Sequence, residues 1–520
     1  MKHFNHVCIY ILLVSIVFAL PISANESTIL TGRSFLAQRS QSVDAGRQVA
    51  IWHRYTHRFD YKKCYATLTA MPAYNHSFRP QRIAEYFFGC DKIYISGSQV
   101  ANRADFDILA DYFGLSPSFN SMVEIQPNIR NALFDLSLFG AYEKLYFELH
   151  VPIVWTQTEI ELKESIGNDA FATIFPERYM ATDAVTPPVR SFKEAIAGDI
   201  TFGDVKQGIQ FGKISYCPQT ERGLADVRLV LGYDIINRWR GHAGFNIRAA
   251  IPSGTRPTSE YLLEPVVGNG HHWELGLGFN GRVLLWEKGG NQTIDLSTEV
   301  NFTHIFAARQ KRSFDFCKNG FWSRYILLKE FDSTGTYDGC LIPAINVTTL
   351  NANVHASVQF DFALVCGYTY KQFGIDAGYG AWARSREKIS LLECIPEKKY
   401  GLKGIQNVEL NPGPGPSNVT QSTATIVGNN FADQAIVADP NSPVFISTTD
   451  LDLRSGASSR MFTHKLLLQL QYACDIRNAT SFIGTGFEVD FEGIRDKENI
   501  QPNKNSVSQW GIWVVFGCTF

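Results

Sequence analysis

The stretch VSQWGIWVVFGCTF, residues 507–520, alternates from end to end. Trp510, Ile512, Val514, Phe516, Cys518 and Phe520 fall on one face. Gly511, Trp513, Val515, Gly517 and Thr519 fall on the other. A period of two over this length marks a β-strand between two different environments. One face is large and apolar throughout, so it lies either on a protein core or on lipid.

Eleven further segments carry the same period. With the last they predict twelve strands: 61–74, 121–139, 144–157, 224–236, 242–252, 272–286, 293–308, 351–370, 373–386, 460–474, 480–491 and 507–520. The connections alternate in length. Residues 140–143, 237–241, 287–292, 371–372 and 475–479 make tight turns. Residues 75–120, 158–223, 253–271, 309–350, 387–459 and 492–506 make long loops. Short periplasmic turns and long external loops belong to outer-membrane barrels; a β-sandwich gives no reason for them. The parity places both termini on the periplasmic side. Residues 202–216 also look strand-like, but a thirteenth strand would break the parity, so they are assigned to the second long loop. Pro127 and Pro152 fall inside strands and cannot donate to a ladder, which suggests bulges.

The faces sharpen this reading. Leu229, Leu231, Tyr233 and Ile235, with Ala225 and Val227, oppose Asp226, Arg228 and Asp234. Phe245 and Ile247 oppose His242, Asn246 and Arg248. Leu275, Leu277 and Phe279 oppose Glu274, Asn280 and Arg282. Leu296, Val300 and Phe302 oppose Asp295, Glu299 and Asn301. Leu466, Leu468 and Leu470 oppose Lys465, Gln469 and Gln471. The apolar faces hold no Asp, Glu, Lys or Arg, where ordinary composition would place on the order of ten. A charge facing lipid at mid-depth costs about 2–4 kcal/mol, which explains the exclusion. The fold class expected is therefore all-β: a closed antiparallel transmembrane β-barrel of about twelve strands, spanning residues 61–520.

The ends agree with an envelope location. Lys2 and His3 precede an apolar run ending at Pro21, with a small-residue site at Ser23-Ala24. Residues 1–24 thus read as a secretory signal peptide cleaved near Ala24. Residues 25–60 are polar, with a short helix expected near 43–52. They form either a periplasmic segment or a plug in the barrel mouth. The final strand, with Trp510, Phe516 and the terminal Phe520, resembles the C-terminal strand of bacterial outer-membrane barrels. That resemblance implies recognition by the barrel-insertion machinery, and outer-membrane lipid as the surrounding partner. Aromatic residues are 13% of the chain, charged residues 19%, and the net charge is −2. That balance gives no footprint for nucleic acid. Ten cysteines, one of them inside the leader, show no CxxC pair or zinc spacing. Cys317 and Cys340 could close a loop.

The polar faces converge on one lumen patch: Glu148, His150, Asp226, Arg228, Asn246, Arg248, Glu274, Arg282, Asp295, Glu299 and Lys465. Opposite charges on neighbouring strands suit a pore constriction with a transverse field. They equally suit a salt-bridged filling that stiffens a narrow barrel. No metal site, cofactor or catalytic residue is expected. His271 and His272 are adjacent in an extended segment and point to opposite faces, which separates them as ligands. His304 and His464 fall on the lipid face without a serine at a neighbouring rim site, so a lipid hydrolase lacks its nucleophile–base pair. The glycines of GLGLGFNG precede no helix and read as strand glycines rather than a nucleotide fingerprint. Residues 411–439, including NPGPGPSN, read as an external loop.

GLADVRLVLGYDI (223–235), AAIPSGTRP (249–257) and NGHHWELGLGF (269–279) resemble the core of the outer-membrane transporters of the phenol-degradation-pathway type. These are distant relatives of the long-chain fatty-acid transporters. The resemblance covers about residues 223–286 and implies a barrel that passes small, apolar or amphipathic solutes. The alternative is a structural or surface-interaction barrel with a closed lumen and working external loops.

Overall fold

The computed structural model describes residues 33–42, 44–52, 54–58, 64–101, 104, 107–167, 188–335, 337–403, 444–476, 479–492 and 507–520. The expected signal peptide at 1–24 and the loop at 411–439 lie outside the described residues.

Twelve antiparallel strands form one wall. They are β1 (Cys64–Ser77), β2 (Asn120–Tyr142), β3 (Leu145–Ile166), β4 (Val227–Arg238), β5 (Gly241–Ile251) and β6 (Glu274–Lys288). Then come β7 (Gln292–Ile305), β8 (Val358–Tyr370), β9 (Phe373–Arg384), β10 (Met461–Ile476), β11 (Ala479–Glu492) and β12 (Gln509–Thr519). Each pairs with its sequence neighbours, and β12 returns to β1, from Thr67 opposite Thr519 to Ser77 opposite Gln509. The ring leaves no free edge, the condition for crossing lipid with strands. Among the described residues no helix is long and apolar enough to cross a membrane.

The outer surface is the apolar belt that the alternation predicts. Leu231 is 68% exposed and Leu277 63%, with Ile247, Ile375, Leu468, Ile483 and Phe516 beside them around the wall. Two bulges tune this belt. β4 slips register against β5 between Asp234 and Ile236, and β6 slips against β7 opposite Ile294/Asp295. The extra residue turns Ile235 and Ile236 outward together while Asp234 stays inside.

Several expectations are corrected. The segment 351–370 is not one strand. It breaks at Ser357, and Thr349–Ala356 leaves the wall to pair with Ala308–Ser313 and Glu387–Leu391 outside it. The segment 293–308 likewise leaves the wall after Ile305. Ala225 faces inward and is fully buried, because the chain breaks register between Gln219–Leu224 and β4. Neither proline marks a bulge in the β2–β3 ladder, which runs continuously. Each sits where its strand changes partner on the other edge. β3 pairs with β4 up to His150 and with Gln219–Leu224 from Ile153, so Pro152 occupies the gap. β2 pairs with Lys92–Ser96 up to Glu124 and with β1 from Arg130, so Pro127 does the same. A missing N–H is harmless where no acceptor strand lies opposite. Residues 202–216 form no strand, only single bridges at Val205 and Lys213, so the parity of the wall stands.

The long loops fold into an outer cap with its own cores. Phe87 and Phe88 of helix Pro80–Phe88 pack with Phe113, Phe192, Trp322 and Tyr325. A second cluster joins Phe314, Phe316, Leu328 and Ile446. Within the cap, Lys329 and Lys403 are 3% and 5% exposed. Burial, reinforced by the neighbouring Lys403, lowers Lys329 to about 6, and burial lowers Lys403 to about 8.

Two predictions follow from this architecture. Leu231→Arg will destabilise the barrel in lipid vesicles by about 2–4 kcal/mol in a urea titration, because the guanidinium faces hydrocarbon; an unchanged midpoint would refute the lipid-facing assignment. The second concerns pH. A lysine lowered in the folded cap binds fewer protons there than in the unfolded chain, so cap stability rises as pH increases from about 6 towards the ordinary lysine range. Hydrogen-exchange opening energies at Leu327–Phe331, corrected for intrinsic rates, will rise over that window, and Lys329→Met will flatten the rise.

Candidate functional site

The lumen of the barrel is occupied by the chain's own N-terminal segment. The described residues between 33 and 58 pass through the ring, and at their centre lies helix α1 (Ala45–Trp52). Asp44 starts this helix: its carboxylate accepts from the Arg47 N–H at 2.9 Å, satisfying a donor the first turn leaves open. Ala45, Val49, Ala50 and Ile51 then pack on Ala363, Val365, Leu467, Trp513 and Val515 of the inner wall. Tyr55 stacks flat on Phe482 at 3.8 Å and donates to Gln471 Oε1 at 3.0 Å.

The remaining attachment is polar, and its ion pairs run mainly in one direction. Cations of the plug meet carboxylates of the wall. Arg39 pairs with Asp361 at 2.6 Å, and Arg54 with Asp376 at 2.8 Å. Arg47 reaches Glu488 through Nε at 2.9 Å, with a second bond from its Nη2. His57 Nδ1 lies 3.0 Å from Asp234. Asp44 runs the other way and pairs with Lys465, which also holds Glu488 at 2.8 Å and Asp490 at 3.4 Å. Uncharged contacts fill the intervals: Gln48 donates to Glu148 at 2.9 Å and Ser40 to Asp226 at 2.7 Å.

The eleven residues predicted to line the lumen all point inward, and they fall into two groups. Glu148, Asp226 and Lys465 are held by the plug. The others are held mainly by the wall itself. His150 lies 3.1 Å from Asp135, Arg248 donates to Glu299 at 2.8 Å, and Arg282 lies 3.6 Å from Asp295. Asn246 donates to Tyr146 at 3.2 Å, and Glu274 accepts from Asn269 at 2.8 Å. Arg228 joins Arg248, Glu274, Gln48 and Asp361 around a cavity of about 30 Å³. A second cavity, of about 50 Å³, lies between the plug and the wall, with Arg39, Lys465 and Asp490 beside Trp382, Met461 and Ile129. Each has room for one or a few waters.

Sequence reasoning missed the plug side of this site. Arg39, Asp44, Arg47, Arg54 and His57 lie in the polar stretch that the sequence assigns either to the periplasm or to a plug, and none of them is singled out there. Their number in an unpatterned segment was the one available signal. Trp510, Phe516 and Phe520 stand on β12 or just beyond it; Phe516 and Phe520 are exposed on the belt and Trp510 is half-buried. The nine described cysteines are free thiols, Cys317 and Cys340 included. His464 accepts from or donates to the Tyr379 hydroxyl at 2.7 Å, and His304 packs on Phe306.

Fold and site together define a transmembrane β-barrel with an internal plug and a folded outer cap. The chain is similar to an outer-membrane channel from Pseudomonas putida F1 at 10% identity, covering 89% of this chain and 98% of that one, with a TM-score of 0.36. It is also similar to the toluene transporter TbuX of Ralstonia pickettii at 9% identity, over 94% and 98% of the two chains, TM-score 0.29. A FadL homologue of Pseudomonas aeruginosa aligns at 8% identity over 95% and 98%, TM-score 0.28. No family model and no curated protein matches the sequence.

Removing one member of a buried ion cluster strands the others, at about 3–5 kcal/mol. Lys465→Met will therefore take the cation from Asp490, leave Asp44 and Glu488 with Arg39 and Arg47 alone, and loosen the plug. Hydrogen exchange at amides 44–52 will show easier opening by that amount, and Lys465→Met/Glu488→Gln will recover part of it. Unchanged protection in the single variant would show that the apolar face of α1 alone seats the plug.

Proposed function

We propose that this protein is a gated barrel of the bacterial outer membrane that admits small amphipathic molecules when its plug yields. The observation that carries the reading is the mode of closure. The lumen is filled by a segment of the same chain, and much of its attachment is ion pairs and hydrogen bonds that water can replace. A permanently open pore fits poorly with cavities of about 50 and 30 Å³. A solute with both an apolar body and a polar end suits the larger cavity, where Trp382 and Met461 face Arg39 and Asp490. Once the plug has moved, Arg248, Arg282, Glu299 and Asp295 would remain on the wall as a constriction of both signs.

A second reading has its own support. The outer cap closes over well-packed apolar cores, and a barrel sealed at mouth and lumen could serve as a scaffold for that cap. Electrical recording separates the two. In planar bilayers the wild-type protein will be closed or flicker briefly, and a variant lacking residues 33–58 will conduct steadily. In that variant Arg248→Gln will shift cation-to-anion selectivity towards cations. Silence from a correctly folded plugless barrel, with no solute-driven swelling of vesicles, would favour the scaffold.

A further inference from the structure

We propose that His57, Asp234 and His242, with Asn280, form a binding site for a divalent transition-metal ion that fastens the end of the plug to the barrel wall. The site is independent of the transport reading. Donor atoms of the three titratable residues lie within 4.8 Å of one another. His57 Nδ1 is 3.0 Å and His242 Nε2 3.9 Å from Asp234 Oδ1, and Asn280 Oδ1 is 3.0 Å from the same His242 nitrogen. Two ligands of a tetrahedral zinc ion stand about 3.4 Å apart, so these spacings bracket the required value. Imidazole nitrogens with a carboxylate and an amide oxygen suit zinc, nickel or copper rather than calcium or magnesium.

Further observations bear on the site. Asp234 is 4% exposed, yet its Oδ1 accepts no hydrogen bond. His57 Nδ1 lies between the two carboxylate oxygens, 3.0 Å from Oδ1 and 3.1 Å from Oδ2, so Oδ1 keeps acceptor capacity that a cation at that depth would meet. That oxygen and Asn280 Oδ1 also converge on Gly244, where a Cβ would press on both, at 2.7 Å from the first and 2.8 Å from the second. Gly244 is not in the left-handed region, so its backbone does not call for glycine; the space does. Finally, the β4 bulge falls at Asp234–Ile236 and keeps the carboxylate inside. His57 itself has φ 52°, an uncommon conformation for a residue with a side chain, and that conformation places its ring at the wall.

The rings of His57 and His242 now stack at 4.1 Å with 11° between their planes. A lone pair lies in the plane of its ring, so coordination requires the stack to splay as the ion enters. The metal would then bridge plug and wall, where His57 now meets Asp234 and packs on His242, Phe139 and Tyr146.

The test uses the full-length, tag-free protein, folded in detergent and treated with a chelator. Titration with Zn²⁺ should show one saturable site of micromolar or better affinity. His57→Ala/His242→Ala should abolish it, and Gly244→Ala should weaken it at least about tenfold, with folding checked by heat-modifiable mobility. Co²⁺ added to the wild type gives a readout that needs no variant: a visible spectrum of nitrogen and oxygen donors, without a thiolate charge-transfer band. Absence of saturable zinc binding, undiminished binding in the double variant, or a thiolate band that places the ion at the Glu330–Asp338–Cys340 cluster of the cap would each overturn the proposal.

Discussion

Closing the wall forces an electrostatic problem onto the inside of this barrel. Lipid on the outer face excludes every charge, so the polar half of each strand turns inward, and a ring of twelve strands leaves little water to solvate what gathers there. The inner wall is rich in carboxylates: Asp135, Glu148, Asp226, Asp234, Glu274, Asp295, Glu299, Asp361, Asp376, Glu488 and Asp490. Wall cations answer part of this, through Arg248 with Glu299 and Lys465 with Glu488 and Asp490. The plug answers more, with Arg39, Arg47, Arg54 and His57 each set against a wall carboxylate. In this sense the plug is a counter-charge as much as an obstruction.

The wall was legible because its rule is local. Two environments and a period of two imprint themselves on every strand, and the tight turns mark the ends. A plug was one of two places open to residues 25–60, but its partners were not legible, because their rule is the opposite. Arg47 finds Glu488 and Lys465 finds Asp44 across more than four hundred residues, and no spacing within residues 33–58 encodes those partners. Helix α1 falls where a short helix was expected, near 43–52, but two turns do not tell which face meets the wall. The lumen residues on the wall could be named from alternation alone, whereas which of them hold the plug and which hold one another depends on what enters the ring.

The misread details share one cause. Alternation continues through Ser357 and past Ile305, so a pattern cannot tell where a strand stops being wall and becomes cap. Pro127 and Pro152 looked like flaws within strands because a sequence shows one strand at a time. In the sheet they mark the points where a neighbour is exchanged for another, and the lost donor coincides with a missing acceptor. The bulges act similarly. Ile235 and Ile236, or Leu285 and Trp286, break the alternation in sequence and restore it in space, each pair facing lipid while Asp234 and Asp295 stay inside.

How the plug is attached also bears on whether it can leave. The apolar contacts of α1 with Leu467, Trp513 and Val515 favour the seated state in the same way as any core contact, and moving the helix would expose them. The ion pairs behave differently. A buried pair gains much of its attraction only by giving up hydration, so exchanging protein partners for water changes the free energy far less than removing one charge from the cluster. A plug held by Ala45, Val49 and Ile51 on one side and by arginines on the others is therefore fixed in register by its charges. Its apolar stripe sets the larger part of the resistance to displacement. An entering molecule with an apolar surface could cover the wall that α1 leaves, and its polar end could take up a carboxylate released by an arginine, lowering both costs together.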